Sequence, residues 1–414
     1  MSHLAEVATI RNIPFKNRII KGAMSEALAN HAGQPNQLHL GLYEAWAKGG
    51  LGCAITGNVM VDFRAKNEPG VVVIESERDL AELKKWAEVG KQHGMVQLIQ
   101  LSHPGRQCPK GLNKETVAPS AVPFSPMLAT TFGTPRELRE DEIQDIIQRF
   151  AKAAQVCEQA GFEGIQLHGA HGYLISQFLS PLTNKRQDQW GGSIENRMRF
   201  LLAIYQAVRA VTSAQFIISV KLNSADFQRG GITEEEVIYV FKTIDAAGID
   251  LIEISGGSYE APAMAGVKSE KRKESSIARE AYFLDFAEKI RKQVNCHLMV
   301  TGGFRTVEGM NAALDSGACE FIGIARPLAV EPDLTQGLIA GQDVRYAVDK
   351  IKTGIPMIDK MAIMEIIWYA AQFKDIAQGK SPNPKLSPLK VFFKYAKGNI
   401  SAMIKGRVNS RRSA

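Results

Sequence analysis

The chain reads as an α/β protein closing into a single (β/α)8 barrel. Three observations carry that reading. Eight short β-rich runs recur between residues 18 and 324, and helical patterns separate them. The runs are also continuously apolar rather than alternating, as parallel strands covered on both faces must be. A doubly wound parallel sheet is the alternative arrangement of the same elements.

In order, the runs are 18–23 (RIIKGA), 53–59 (CAITGNV), 95–101 (MVQLIQL), 164–168 (GIQLH), 216–222 (FIISVKL), 250–254 (DLIEI), 297–301 (HLMVT) and 320–324 (EFIGI). The clearest helix is 140–160. Ile143, Ile146, Ile147, Phe150, Ala154 and Cys157 share one face, and Gly161 supplies the stop. Glu140, Asp141 and Glu142 fill its first turn, where the helix dipole favours negative charge. Thr233 and Glu236 make a capping box for a helix ended by Gly248, and Thr306 caps another ending at Gly317. The Pro-, Gly- and Ser-rich insert 102–139 is too long for an idle loop and is expected to act as a lid or wall of a site. The barrel is expected to span 1–340. A helical extension, 341–378, then packs on it, followed by a Pro-containing linker and a basic amphipathic tail over 379–414.

The net charge of +7 is unevenly placed. Nine Lys or Arg and no Asp or Glu follow from Lys380 onward, so residues 1–379 carry −2 and give no case for a nucleic-acid enzyme. Five scattered cysteines without a Cys-x-x-Cys suit a reducing compartment, and the expected location is the cytoplasm. No apolar run has the length of a membrane span.

The chemistry concentrates where the fourth run ends, in His168-Gly-Ala-His171-Gly-Tyr173. The C-terminal rim of such a barrel is where catalytic groups stand. Imidazole N–H groups can hold a developing oxyanion, and a phenol can deliver a proton beside it. The two histidines could instead ligate a metal, but no acidic or Cys third ligand lies close in sequence. Gln100 closes the third run with an amide able to pair with the edge of a heteroaromatic ring. Lys221 lies inside an apolar strand, so it needs a bound anion or a buried carboxylate. After the last two strands, Thr301-Gly302-Gly303 and Ala325-Arg326 offer backbone N–H groups and a guanidinium to a phosphate. Gly49-Gly-Leu-Gly52 misses the dinucleotide spacing, so a nicotinamide would bind without a Rossmann domain.

Together these residues resemble the Old Yellow Enzyme family of FMN-dependent ene-reductases. The resemblance rests on HGAHGYLISQFLSPLTNKR with GGSIENR, on NRIIKGAMS, on the run 100–106 (QLSHPGR) and on the closing GG…ARPLAVEPDL, in that order over roughly 5–340. It implies that Ala23, Met24 and Ser25 lie against the flavin, Ser25 near its N5 and carbonyl edge, with Gly57 near the same edge. It implies further that Gln100 pairs with the pyrimidine ring and Lys221 faces the N1 side. Gly302, Gly303, Ala325 and Arg326 would hold the phosphate. His168 and His171 would bind the substrate carbonyl, and Tyr173 would protonate the carbon alpha to it.

The implied reaction is ping-pong. NAD(P)H reduces tightly bound FMN, then flavin N5 returns hydride to the beta carbon of a small-molecule alkene activated by a carbonyl. Alternatives are a dienoyl- or enoyl-thioester reductase lacking an iron–sulfur cluster, and a non-redox phosphate-binding lyase or isomerase. A barrel retained as an inactive scaffold is the non-enzyme reading. The sequence departs from the family at Ala23, where proline is usual, at Ser25, where Thr or Cys is, and at Lys221, where Arg is. No cysteine follows Cys319, so the usual cluster-bearing multidomain type is not expected. Over 391–405, Phe392, Ala396, Ile400 and Met403 group against lysines. That face would pack on the barrel or on a neighbouring subunit of a homo-oligomer, or adsorb to an anionic membrane surface.

Overall fold

The computed structural model describes residues 3–126, 128–226, 228–256, 283–345, 351–359 and 363–395. Its centre is a closed barrel of eight parallel strands taken in sequence order. These are β1 (Ile19–Lys21), β2 (Cys53–Met60), β3 (Val96–Ser102), β4 (Gly164–Gly169), β5 (Ile217–Asn223), β6 (Leu251–Ser255), β7 (His297–Thr301) and β8 (Phe321–Ile324), with β8 pairing back to β1. The helices outside it are α1 (Gln37–Lys48), α2 (Leu80–Lys91), α3 (Glu140–Ala160), α4 (Arg199–Val211), α5 (Glu234–Ala246), α6 (Leu284–Arg291), α7 (Val307–Asp315) and α8 (Leu334–Ile339). The barrel, rather than the doubly wound sheet, is therefore the fold.

The expected caps form. Thr233 and Glu236 bond reciprocally at the start of α5, and Thr306 Oγ1 accepts from Gly309 N–H at the start of α7. Gly161 ends α3 in the left-handed conformation at φ 94°, which a residue with a Cβ resists.

Inside the barrel the residues sort into two tiers. Cys53, Ile55, Val96, Leu98, Ile217, Leu251, Met299 and Phe321 pack as an apolar floor. An N-terminal hairpin, Ala8–Ile10 paired with Ile13–Phe15, plugs that floor with Ile10 and Phe15; the Phe15 and Phe321 rings lie 5.1 Å apart. Its turn runs through Arg11 and Asn12 at positive φ, 49° and 65°, the two-residue geometry that matches strand twist. Above the floor the interior turns polar, with Lys21, Gln100, Gln166, Lys221 and Glu253 all buried.

A further helix, α9 (Ile363–Ala377), docks on α1 through Trp46 and Phe373, whose rings are 5.6 Å apart. This is part of the helical extension expected over 341–378. The chain forms a short turn of helix at Pro356–Asp359 and then α9, and residues 360–362 lie outside the described residues. The stretch read as a linker is fastened back on α9: Gln372 and Asn383 exchange hydrogen bonds, and Trp368 Nε1–H donates to the Leu386 carbonyl at 2.9 Å. The tail from residue 396 onward, where membrane contact was expected, lies outside the described residues. Among the described residues no helix is long and apolar enough to cross a membrane.

Candidate active site

The strands deliver their side chains to one cavity of about 280 Å³ at the C-terminal rim. Twelve of the thirteen residues singled out in the sequence line it: Ala23, Met24 and Ser25 after β1, Gln100, His168, His171, Tyr173, Lys221, Gly302, Gly303, Ala325 and Arg326. Gly57 does not. Its N–H donates to Glu26 Oε1 at 2.9 Å, and a Cβ there would stand 2.7 Å from the Met24 carbonyl oxygen. It lets β2 close up behind the Ala23–Ser25 wall.

Lys221 finds the buried carboxylate its position demanded. Glu253, opposite it across β5–β6, receives its Nζ at 2.9 Å, with the two residues 4 % and 0 % exposed. Thr301 Oγ1 donates to Glu253 at 2.8 Å and Gln166 Nε2 at 3.0 Å, while Gln100 Nε2 donates to Gln166 at 2.8 Å. Lys21 lies in the same interior, bonded to Glu26 and the Ile55 carbonyl and 4.6 Å from the centre of the Trp46 ring. Burial pushes its ammonium below the usual lysine range. A chain of hydrogen bonds therefore runs from Gln100 to Lys221 under the cavity floor.

The two imidazoles stand beside that chain, rings 5.2 Å apart, with the Tyr173 ring 4.5 Å from His168. Burial, aided by the Lys221 charge, holds both histidines well below the ordinary imidazole value. Each is therefore neutral near pH 7 and carries one N–H. His168 Nδ1 accepts from Ala170 N–H at 3.4 Å, which assigns its proton to Nε2. His171 has φ 60°, a strained conformation worth on the order of 1–3 kcal/mol. It is held there from three sides. Gln107 Nε2–H donates to its carbonyl at 2.7 Å, its N–H donates to Asn223 Oδ1 at 3.3 Å, and its Nε2 meets Ser255 Oγ at 2.7 Å. Gln107 comes from the long insert, whose described residues buttress the β4 loop rather than line the cavity.

The other end of the cavity suits a phosphate. Gly302 and Gly303 follow β7 and line the cavity at φ 108° and 96°, conformations that side chains resist. Arg326 closes the far side. Sequence reasoning missed the contribution of α9, which adds Glu365, Ile366 and Tyr369 to the wall. Tyr369 is 3 % exposed, and its hydroxyl lies beside the Arg326 charge without a normal hydrogen bond among the described residues. Asn58 was also missed: its Oδ1 lies 3.3 Å from Ser25 Oγ, and its buried Nδ2 has no partner among the described residues. Glu253 could have been found, because a carboxylate within DLIEI carries the same signal as Lys221. Nothing in the sequence marks Tyr369.

The fold is a (β/α)8 barrel with a polar cavity at its C-terminal rim, and the sequence comparison defines the class. The chain belongs to the NADH:flavin oxidoreductase / NADH oxidase family, which matches residues 5–343. It is 38 % identical over 363 residues to the NADH-dependent flavin oxidoreductase iliE of Hypocrea jecorina, covering 83 % of this chain and 90 % of that one. Among solved structures it is similar to a 2-naphthoyl-CoA reductase, with a TM-score of 0.77 and 27 % identity. That match covers 90 % of this chain but 58 % of the other. An Old Yellow Enzyme homologue from Zymomonas mobilis shares the fold at a TM-score of 0.71 and 24 % identity, covering 84 % and 94 %. The chain is an FMN-dependent oxidoreductase that takes its electrons from NAD(P)H. The residues present fit that cofactor: the paired left-handed glycines, Arg326 and the Tyr369 hydroxyl beside it suit its phosphate, and the buried Gln100–Lys221 chain suits its polar ring edge.

Proposed function

We propose that the chain reduces a carbon–carbon double bond activated by a carbonyl group. When bound, FMN takes hydride from NAD(P)H and returns it to the beta carbon of such an alkene. The protein's part is to hold the carbonyl and manage the second proton. His168 and His171, both neutral, donate hydrogen bonds to the carbonyl oxygen as charge builds on it. Tyr173 delivers a proton to the alpha carbon. Gln100, Lys221 and the wall Ala23–Ser25 hold the ring. Gly302, Gly303, Ala325, Arg326 and Tyr369 hold the phosphate. The observation that carries the reading is the pair of uncharged imidazoles and a phenol sharing one cavity above a buried lysine.

The test is spectroscopic. The purified protein should be yellow, bleach anaerobically with NAD(P)H and recover its colour on adding a simple enone. Recovery with a thioester-activated alkene alone would shift the substrate to that class, and no recovery with any activated alkene would end the proposal. Tyr173→Phe should slow recovery while leaving bleaching at the wild-type rate. Equal slowing of both half-reactions would remove its assigned role. Tyr369→Phe should weaken FMN binding by roughly 10- to 100-fold, the range for a hydrogen bond to a charged group. Fluorescence titration of the flavin-stripped protein measures it, and unchanged affinity would take Tyr369 out of the phosphate site.

A further inference from the structure

The loop after β2 carries a carboxyl that the reaction as described does not use. Glu68 accepts the Ser25 hydroxyl hydrogen bond and a second bond from the Asn67 side chain. Asn67 Nδ2 also donates to Tyr173 Oη at 3.2 Å. Ser25 and Tyr173 both line the cavity, so one carboxyl is tied to two groups on its wall. The bond from Asn67 occupies a lone pair of the phenol oxygen and so fixes the Tyr173 hydroxyl from one side.

We propose that Glu68 is a positioning residue for this reaction, acting through Ser25 on the flavin edge and through Asn67 on Tyr173. A carboxylate can only accept, so the Ser25 O–H must point at it and Ser25 turns a lone pair to the cavity. A carboxylic acid can donate to Ser25 Oγ, which releases the Ser25 O–H from the carboxyl to serve as a donor to the flavin edge, with Asn58 Oδ1, 3.3 Å away, as the competing acceptor. A donor at the flavin's carbonyl edge stabilises the electron-rich reduced ring, and a lone pair does not. Ionisation of Glu68 therefore lowers the flavin's midpoint potential. The change falls in a useful range, because burial, reinforced by the Glu26 charge, pushes the Glu68 carboxyl up to about 7.

The charged and titratable groups around Glu68 have partners or placements of their own. Glu26, from the β1–α1 loop, is engaged by Lys21, Tyr43 and Gly57 N–H. Lys66 lies 4.0 Å over the Phe63 ring, and Tyr173 is reached through Asn67.

The inference rests on FMN binding in this cavity, so the experiment begins from yellow holoenzyme. Its midpoint potential is measured against pH from 5.5 to 8.5 in the wild type, Glu68→Gln and Ser25→Ala. The wild type should show an inflection near pH 7 that both variants lose. Glu68→Gln, whose amide can still donate to Ser25, should stay on the acid-limb value throughout. In infrared difference spectra a protonated-carboxyl band should titrate over the same range in the wild type and in Ser25→Ala, and be absent from Glu68→Gln. A carboxyl that merely braces the loop would alter flavin affinity in Glu68→Gln and leave the inflection in place, which overturns the proposal. So would an infrared band that does not titrate. Colourless protein would sink the flavin assignment itself, a different failure.

Discussion

Alanine at His168 or at His171 should lower turnover of a simple enone by about 10²–10³-fold, the loss seen when one preorganised oxyanion donor is removed. The effect belongs in the oxidative half-reaction, measured by stopped-flow recovery of flavin colour. The double variant should lose less than the product of the two singles, because both imidazoles serve one oxygen and the first loss already spoils the geometry. The sign of the pH dependence follows from their surroundings. Both pKa values are pushed well below 6.5, so both rings stay neutral from pH 6 to 8 and add no titration there. A limb near pH 6.5 that disappears in the histidine variants would mean that a charged imidazole does the work. Unchanged enone turnover in both single variants would remove the histidines from the mechanism.

The barrel was legible because its strands are buried on both faces and therefore unbroken in their apolarity. The rim was legible because polar groups interrupt that apolarity at the strand ends, as at Gln100 and Lys221. The family motif was legible for a different reason. Much of TNKR…GGSIENR braces the connection from β4 to α4: Asn184 Nδ2 donates to the Phe178 and Trp190 carbonyls, Arg186 to those of Pro119 and Leu138, and Arg197 bonds Leu179 and Glu236. Long specific motifs can thus record loop architecture as much as chemistry.

What escaped the sequence depends on contacts between distant segments. Tyr369 reaches the cavity only because α9 docks on Trp46 of α1. Asn67 and Glu68 sit in an irregular loop with no periodicity to read. Gly57 carries the signal of a flavin neighbour but serves a close backbone approach one layer behind.

The largest stability effect should come from the buried pair. Glu253→Met leaves the Lys221 ammonium without a carboxylate and takes an acceptor from Gln166 and Thr301. Breaking such a pair from one side costs about 3–5 kcal/mol, whereas replacing both charges with apolar groups of similar volume is often neutral or better. Lys221→Met/Glu253→Met should accordingly recover most of the stability lost by Glu253→Met in urea unfolding of the flavin-loaded protein. The pair also steadies Lys21, whose ammonium feels repulsion from Lys221 and attraction from Glu253, so the single variant unbalances a second buried charge. A double variant no more stable than Glu253→Met would mean that the loss comes from Gln166 and Thr301 missing their acceptor rather than from the stranded Lys221 charge.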